Sequence, residues 1–212
     1  MVVESFKERQ RRAREEAILD AAAEVLRARG FQAMAMDEIA ARVGIAKGTI
    51  YLHFASKDAL VAALIARGIA ALAACIDALD PCLPVLERLD RILRAMLSGA
   101  VRHDHGAPFL DSAAPELKRL IETDERCAEL VRGLRSRLTA LIDEGRRRGE
   151  IDPRQPAAVL VGALFALLSP RGYGQMLTAT DVPVLEVNDA LIRLYLRGIA
   201  RDPADIEFHT SE

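Results

Sequence analysis

Three features of this chain predict an all-α fold. Hydrophobic residues make up 51% and are dominated by Ala and Leu, aromatics are only 4%, and Trp is absent; such a composition favours helix over sheet. Apolar residues recur at spacings of three and four almost throughout, with no convincing period-two run. Gly, Pro, Ser and Asp punctuation divides these segments into nine helical stretches. A length of 212 residues suffices for one large domain or two small ones around a buried core.

The first helix carries Ile18, Ala22, Val25 and Leu26 on one face, and Gly30 suits its C-terminal stop. A second spans roughly 36–43 and ends at Gly44; a third spans roughly 47–53. Ser56 caps a long fourth helix, with Asp58 in the first turn, where the helix dipole favours an anion. Its stripe of Leu60, Leu64, Leu72, Ile76 and Leu79 ends at the Asp80-Pro81 break. Leu86, Leu89, Leu93, Met96, Ala100 and Val101 mark a fifth helix, His103–Pro108 a turn, Pro115 to Glu122 a sixth helix, and Cys127, Leu130, Leu134, Leu138, Leu141 and Ile142 a seventh. The seventh closes on Arg146, Arg147 and Arg148 before Gly149, matching cations to the negative end of the dipole. Asp152-Pro153 reads as an N-cap with Pro at the first helical position of an eighth helix. That helix is apolar nearly all round to about Ser169 and should be buried on most sides. Pro170 to Thr180 reads as a loop. A ninth helix, about 183–200, has a stripe of Val184, Val187, Leu191, Leu194, Ile192, Leu196 and Ile199 too broad for one neighbour to cover.

The net charge of -2 conceals an asymmetry. Residues 1–60 hold 10 Lys+Arg against 9 Asp+Glu, and Arg9, Arg11, Arg12 and Arg14 cluster in the leading arm. Attraction for a polyanion is therefore local. This run is either a solvated face, since Glu15 and Glu16 follow, or an arm laid along phosphates or the minor groove. The stretch MVVESFKERQRRAREE is charged where a signal peptide would be apolar, and the longest apolar run, Ala157 to Leu168, is too short to span a bilayer. A cytoplasmic chain without membrane association is expected. Three cysteines, Cys75, Cys82 and Cys127, cannot all pair within one chain, which fits a reducing compartment. They read as small buried apolar residues rather than a thiol sensor.

The segment MDEIAARVGIAKGTIYLHFASKDAL, Met36 to Leu60, carries the functional signal. Two short helices about a tight turn, followed by a capped third, suit insertion into the DNA major groove. Lys47 can donate to guanine O6 or N7, and Thr49 can serve a base edge, a phosphate or the thymine methyl. Gly48 removes bulk where the helix meets the groove. Tyr51 and His53 offer polar tips for phosphates, while Ile50, Leu52 and Phe54 are expected to pack inward. Lys57 and the N–H groups opening the fourth helix form a phosphate seat.

At these residues the sequence resembles the TetR family of transcriptional regulators. GIAKGTIYLHFASKDAL is similar to that family's recognition helix and fourth-helix start, and ILDAAAEVLRARGF to its first helix; the specific match covers about residues 17–65. The resemblance implies an all-α, nine-helix homodimer with a three-helix helix-turn-helix DNA-binding domain over 1–55 and a larger ligand-binding and dimerisation domain over 56–212. It implies repression relieved when a small molecule changes the separation of the two reading heads. Carried over by position, Lys47 and Thr49 contact bases or phosphates, and Tyr51, His53 and Lys57 contact phosphates. The chain departs from the family at Ala35, where Ser or Thr usually caps the second helix and touches phosphate; only Glu38 of a capping box survives. That loss costs about 1 kcal/mol, and Asp37 beside it would repel phosphate. The basic arm is expected to compensate, which makes DNA affinity strongly salt-dependent.

Other candidates are weaker. His103-Asp104-His105 with Asp111 could form a metal corner, but HxH spacing is not diagnostic and a solvated turn is the simpler reading, so no metal or cofactor is expected. Gly172-Tyr173-Gly174 follows no strand and has no phosphate-cradle pattern. No catalytic dyad or nucleophile elbow is found, so an enzyme is not expected. The expected function is a repressor that binds a palindromic operator in double-stranded DNA as a homodimer and is released by a mostly apolar effector; an activator with the same head, or a helical scaffold, is the alternative. The family layout and helical phase place a pocket at Met96, Arg102, His103, Phe109, Leu134, Leu138, Phe165 and Tyr173. The eighth and ninth helices of two subunits should form a four-helix bundle through Val159, Phe165, Val187, Leu191, Leu194 and Tyr195.

Overall fold

Each amphipathic stripe becomes a helix, and the helices pack into one all-α body. The structure, a computed structural model, describes residues 5–101, 115–167, 173, 176, 177 and 179–201. The helices with defined bounds among them are α1 (Phe6–Ala33), α2 (Met36–Val43), α3 (Lys47–His53), α4 (Lys57–Asp77), α5 (Val85–Val101), α6 (Pro115–Thr123), α7 (Glu125–Arg148), α8 (Ala157–Leu167) and α9 (Val184–Ile199). Tyr173, Met176, Leu177 and Ala179 are helical as well, so the stretch expected to be a loop between Pro170 and Thr180 contains helix. Its buried Tyr173 and half-buried Met176 and Leu177 give it an apolar side that the two glycines disguise.

The α1 helix starts far earlier than its apolar stripe. Ser5 accepts from the Glu8 N–H at 3.3 Å and Glu8 returns the bond to Ser5 N at 2.8 Å, a complete capping box. The arginine run is thus helical and not an extended arm. Gly30 breaks the regular helix as expected, at φ 71° and ψ 172°, and a further turn beyond this kink carries Phe31 into the core. The α2 helix lacks a side-chain cap at Ala35, as its sequence predicts. Glu38, free of any cap to complete, pairs instead with Arg29 at 3.0 Å and Arg42 at 3.2 Å.

The α4 helix is central. Its 21 residues are long and apolar enough, by length and composition, to cross a bilayer. Its buried Leu60, Val61, Leu64, Ile65, Ile69, Leu72 and Ile76 face protein, however, with α1 on one side and α6 and α7 on the other. Burying each such side chain is worth about 1.5–3 kcal/mol. Ion pairs fix the edges: Arg67 meets Glu16 at 3.0 Å and Asp20 at 2.7 Å, Arg119 meets Asp58 at 2.6 Å, and Arg137 meets Asp77 at 2.9 Å. Exposed pairs of this kind contribute only ~0–1 kcal/mol each.

Asp124 caps α7, accepting from Cys127 N at 2.9 Å, and Gly149 closes it at φ 78°. Asp152 does not cap α8. Its own N–H is bound to Ile199 O at 3.0 Å and its carboxylate accepts from Arg154 N at 2.9 Å, in a turn that delays the helix to Ala157. The neighbouring Ile151 forms an antiparallel bridge with Ala200, tying the α7–α8 link to the end of α9. Arg94 joins α5 to α9 through Asp189 at 2.7 Å. Cys127 is buried, its thiol pushed up to about 12 by burial and by the Asp124 hydrogen bond, whereas Cys75 and Cys82 are exposed, contrary to expectation.

Gly145 sits where α7 meets Val85 and Ile151. A Cβ there would stand 2.7 Å from the Ile151 Cδ1 and 2.9 Å from the Val85 Cγ1. Gly145→Ala should therefore lower stability by about 1–3 kcal/mol through overpacking, despite the better helix propensity of Ala. The urea midpoint of the variant checks this.

Candidate nucleic-acid interface

The turn between α2 and α3 is built by Gly44 in the left-handed region at φ 73°, with Ile45 N bonded to Ala40 O at 3.0 Å. This closes α2 and swings α3 across it. Ile50 is fully buried and Phe54 half-buried, which anchors α3 to the head. The opposite side of α3 faces solvent with Lys47, Gly48, Tyr51 and Leu52.

Leu52, expected to pack inward, is 80% exposed. In a seven-residue helix held by Ile50, positions 48, 51 and 52 fall together on the outer face. Sequence reading misses this apolar contact when it treats every aliphatic as core; the spacing to Gly48 is the available signal. A lone exposed Leu beside polar groups on a groove-sized helix suits a thymine methyl.

Gly48 is informative in a different way. A Cβ placed on it meets nothing within 4 Å. Glycine inside a helix costs about 1 kcal/mol relative to Ala, and nothing within the chain requires it. The glycine leaves the outer face of α3 open to close approach by another surface.

The predicted contact residues are not all free. Lys47 is paired with Asp37 at 2.7 Å across the α2–α3 corner, and the Asp37 hydrogen bond and charge hold its ammonium above the usual lysine range. Asp37 therefore engages the reading lysine instead of standing as a bare repulsive charge. Thr49 is half-buried. His53 turns inward, its side chain 8% exposed and its Nδ1 3.2 Å from Glu15 Oε1. Burial opposes ionisation of Glu15, but hydrogen bonds from His53 and Arg11 outweigh it and hold the carboxyl below its ordinary range. Lys57 donates to Gln32 O at 3.1 Å and lies 4.5 Å over the Phe31 ring, stapling the α4 start to the α1 end. Ser56 accepts from Ala59 N at 3.0 Å, the predicted cap. Gly48 and Tyr51 are thus the freely presented members of the set, with the unexpected Leu52 beside them.

Residues 18–64, from the middle of α1 into α4, match the model for bacterial regulatory proteins, tetR family. This head is thus of the tetR type. The chain is a DNA-binding transcription regulator of helix-turn-helix type. Comparison with the curated proteins gives no match. Among solved structures, the fatty acid degradation regulator FadR from Bacillus halodurans is similar at TM-score 0.68 and 21% identity, over 86% of this chain and 94% of that one. FadR from Bacillus subtilis, solved with stearoyl-CoA, is similar at TM-score 0.66 and 20% identity, over 87% and 98%. The tetR family protein CprB from S. coelicolor A3(2) is similar at TM-score 0.69 and 19% identity, over 92% and 94%. At these identities the likeness extends the tetR-type fold across the body.

In that body, Met96, Leu134 and Leu138 are fully buried in one apolar interior and Phe165 is half-buried, with the Arg135 guanidinium 4.5 Å over its ring. Tyr173 is buried and donates to Asn188 Oδ1 at 2.6 Å. Arg102, His103 and Phe109, like His105 and Asp111 of the suggested metal corner, lie outside the described residues. Of the residues expected at a subunit interface, Val159 is 62% and Leu194 64% exposed. Val187, Leu191 and Tyr195 are instead buried within the protomer, and the Tyr195 hydroxyl donates to Leu160 O at 3.0 Å. The broad α9 stripe is partly consumed by its own chain. The α8 helix, expected to be covered on most sides, leaves Val159, Ala163 and Ala166 exposed on one side.

Gly48→Ala separates the two demands on α3. It should raise thermal stability by about 0.5–1 kcal/mol through helix propensity while weakening duplex binding by ~1–3 kcal/mol, the scale of one good base contact. Paired urea and anisotropy titrations read both; an Ala variant that binds as well as wild type would mean that no surface closes on Gly48.

Proposed function

We propose that the chain is a repressor, not an enzyme: a homodimer reads a palindromic operator through two copies of α3, and a small, mostly apolar effector releases it. The head is taken as residues 1–55 and the body as 56–212. The observation that carries this reading is the outer face of α3, where an unpacked glycine, an exposed Tyr and an exposed Leu lie together on a family-matched head.

The bonded pair of Leu160 and Tyr195 joins α8 to α9, and their chain neighbours Val159 and Leu194 both point outward. Gly162 on α8 and Gly198 on α9 also have open space around an added Cβ. Exposed aliphatics beside small residues suit close contact with a second copy, and an isologous pairing of these helices gives a four-helix bundle. A palindrome then follows from the two-fold symmetry. An apolar effector is supported by the all-apolar surroundings of Met96, Leu134 and Leu138, with the Tyr173–Asn188 pair as a polar group able to orient a ligand. The stearoyl-CoA bound to the similarly folded FadR points the same way.

Leu194→Arg should yield a folded monomer by light scattering that no longer holds a palindromic duplex. Leu191→Arg should instead lower stability, because that side chain is 8% exposed within its own protomer. Tyr51→Ala should leave the dimer intact and abolish gel-shift of the intergenic DNA upstream of the gene. Equal binding by this variant would remove the reading-head assignment, and a Leu194→Arg dimer would remove α8–α9 as the interface.

A further inference from the structure

The first helix extends well beyond anything it packs on. Every residue from Ser5 to Arg14 is exposed, and the first buried residue of α1 is Ile18. A helical segment this short is marginal in water without packing, yet it is closed by a complete capping box at Ser5 and Glu8. From Ser5 to Arg14 it carries five cations, Lys7, Arg9, Arg11, Arg12 and Arg14, against the one carboxylate of Glu8.

The cations are phased. Lys7, Arg11 and Arg14 continue, at spacings of four and three, the stripe that Ile18, Ala22 and Val25 bury in the head. They therefore project on the side of α1 that faces the head, and not on its outer side. Arg11 also locates the segment. Its Nε lies 3.0 Å from Glu15 Oε1, and the same oxygen lies 3.2 Å from His53 Nδ1 at the end of α3. One carboxylate oxygen thus separates the overhang from the reading helix.

We infer that the overhang of α1 is a second DNA contact, a preformed cationic rod that lies along backbone phosphates next to the site read by α3. The occupant is a polyanion because the overhang offers charge and almost nothing else. A membrane-surface helix would need an apolar face, and here Phe6 is the sole large apolar side chain. DNA is selected over other polyanions by the Arg11–Glu15–His53 chain, which ties the segment to the helix that enters the groove. The inference rests on the DNA-binding reading above and adds a contact that the α2–α3 motif does not contain. It also supplies what α2 lacks at Ala35, since phosphate contacts fix register and orientation without reading sequence.

The test uses the full chain and a duplex selected by it from a random pool, with binding followed by anisotropy across a salt series. In the variant K7Q/R11Q/R14Q, whose replaced side chains are exposed, the slope of log K against log salt should fall by about 0.9 for each phosphate that is no longer neutralised. Preference for the selected duplex over a scrambled one should be retained. The outer-side pair R9Q/R12Q should reduce the slope much less. Trimming the duplex flanks should weaken the wild type and leave the triple variant unaffected. A triple variant that binds DNA with an unchanged slope, or with a slope reduced no more than in R9Q/R12Q, overturns this inference alone. A wild-type chain that selects no duplex overturns the DNA-binding reading together with it.

Discussion

The structure depends on α4 serving two cores at once. Leu60, Val61, Leu64 and Ile65 are buried near its start, Ile69, Leu72 and Ile76 toward its end, and the helix packs on α1 of the head and on α6 and α7 of the body. Apolar burial dominates, because each of these side chains outweighs the exposed ion pairs at the helix edges. The polar contacts have a different role, which is to fix angle and register. Arg67 sets α4 against Glu16 and Asp20 of α1, and the Cys127 thiol donates to Ala62 O from α7 at 3.3 Å. The head is therefore packed on the same helix as the body, and only residues 54–56 separate α3 from the start of that helix.

Contacts between α6 and the head reinforce this coupling. Gln32 donates to Glu116, and Arg119 pairs with Asp58 in the first turn of α4. Both contacts bypass the α4 backbone and reach the same corner that Lys57 staples to Gln32 and Phe31. They are solvent-exposed and weak individually, so they bias the head without locking it. That suits the proposed function, in which two heads change spacing for a modest cost.

Periodicity makes the helices legible, together with most of the residues they bury. Ile18, Ala22 and Val25, or Leu134, Leu138, Leu141 and Ile142, can be placed inside from their spacing alone because each stripe is one face wide. Where a stripe is wider than one face, spacing gives no answer. Leu191 and Leu194 both sit on the α9 stripe, yet one is in the protomer core and the other in solvent. Leu52 misleads because two apolar neighbours, Ile50 and Phe54, suggest a core turn in a helix too short to bury all three. The polar part of the site is legible as residue types and not as contacts. Glu15 and His53 are 38 positions apart, and no local pattern announces that they meet. Asp37 and Lys47 lie on different helices, and their pairing follows from the Gly44 turn angle. Asp152-Pro153 has the residues of an N-cap, but the Asp152 N–H donates to Ile199 O and its carboxylate accepts from Arg154 two residues on, so a turn claims the aspartate first.

The deficits and compensations of the head are consistent with one another. Ala35 leaves α2 without a capping side chain, Asp37 adds an anion at the DNA-facing corner, and Gly48 weakens α3 for the sake of approach. Each is a local cost to folding or to attraction for phosphate. Only the second is offset within the head, since Asp37 is neutralised by Lys47. Neutralising Asp37, however, occupies the lysine best placed to reach guanine. On the proposed function, sequence reading by α3 then leans on Tyr51 and Leu52, which carry shape and apolar contact more than charge. A head of this kind discriminates better than it attracts, and attraction must come from elsewhere in the chain. The capped, unpacked start of α1 is the described segment near α3 in which cations clearly outnumber carboxylates, which divides the labour between a reading helix that is nearly neutral and a positioning helix that is not.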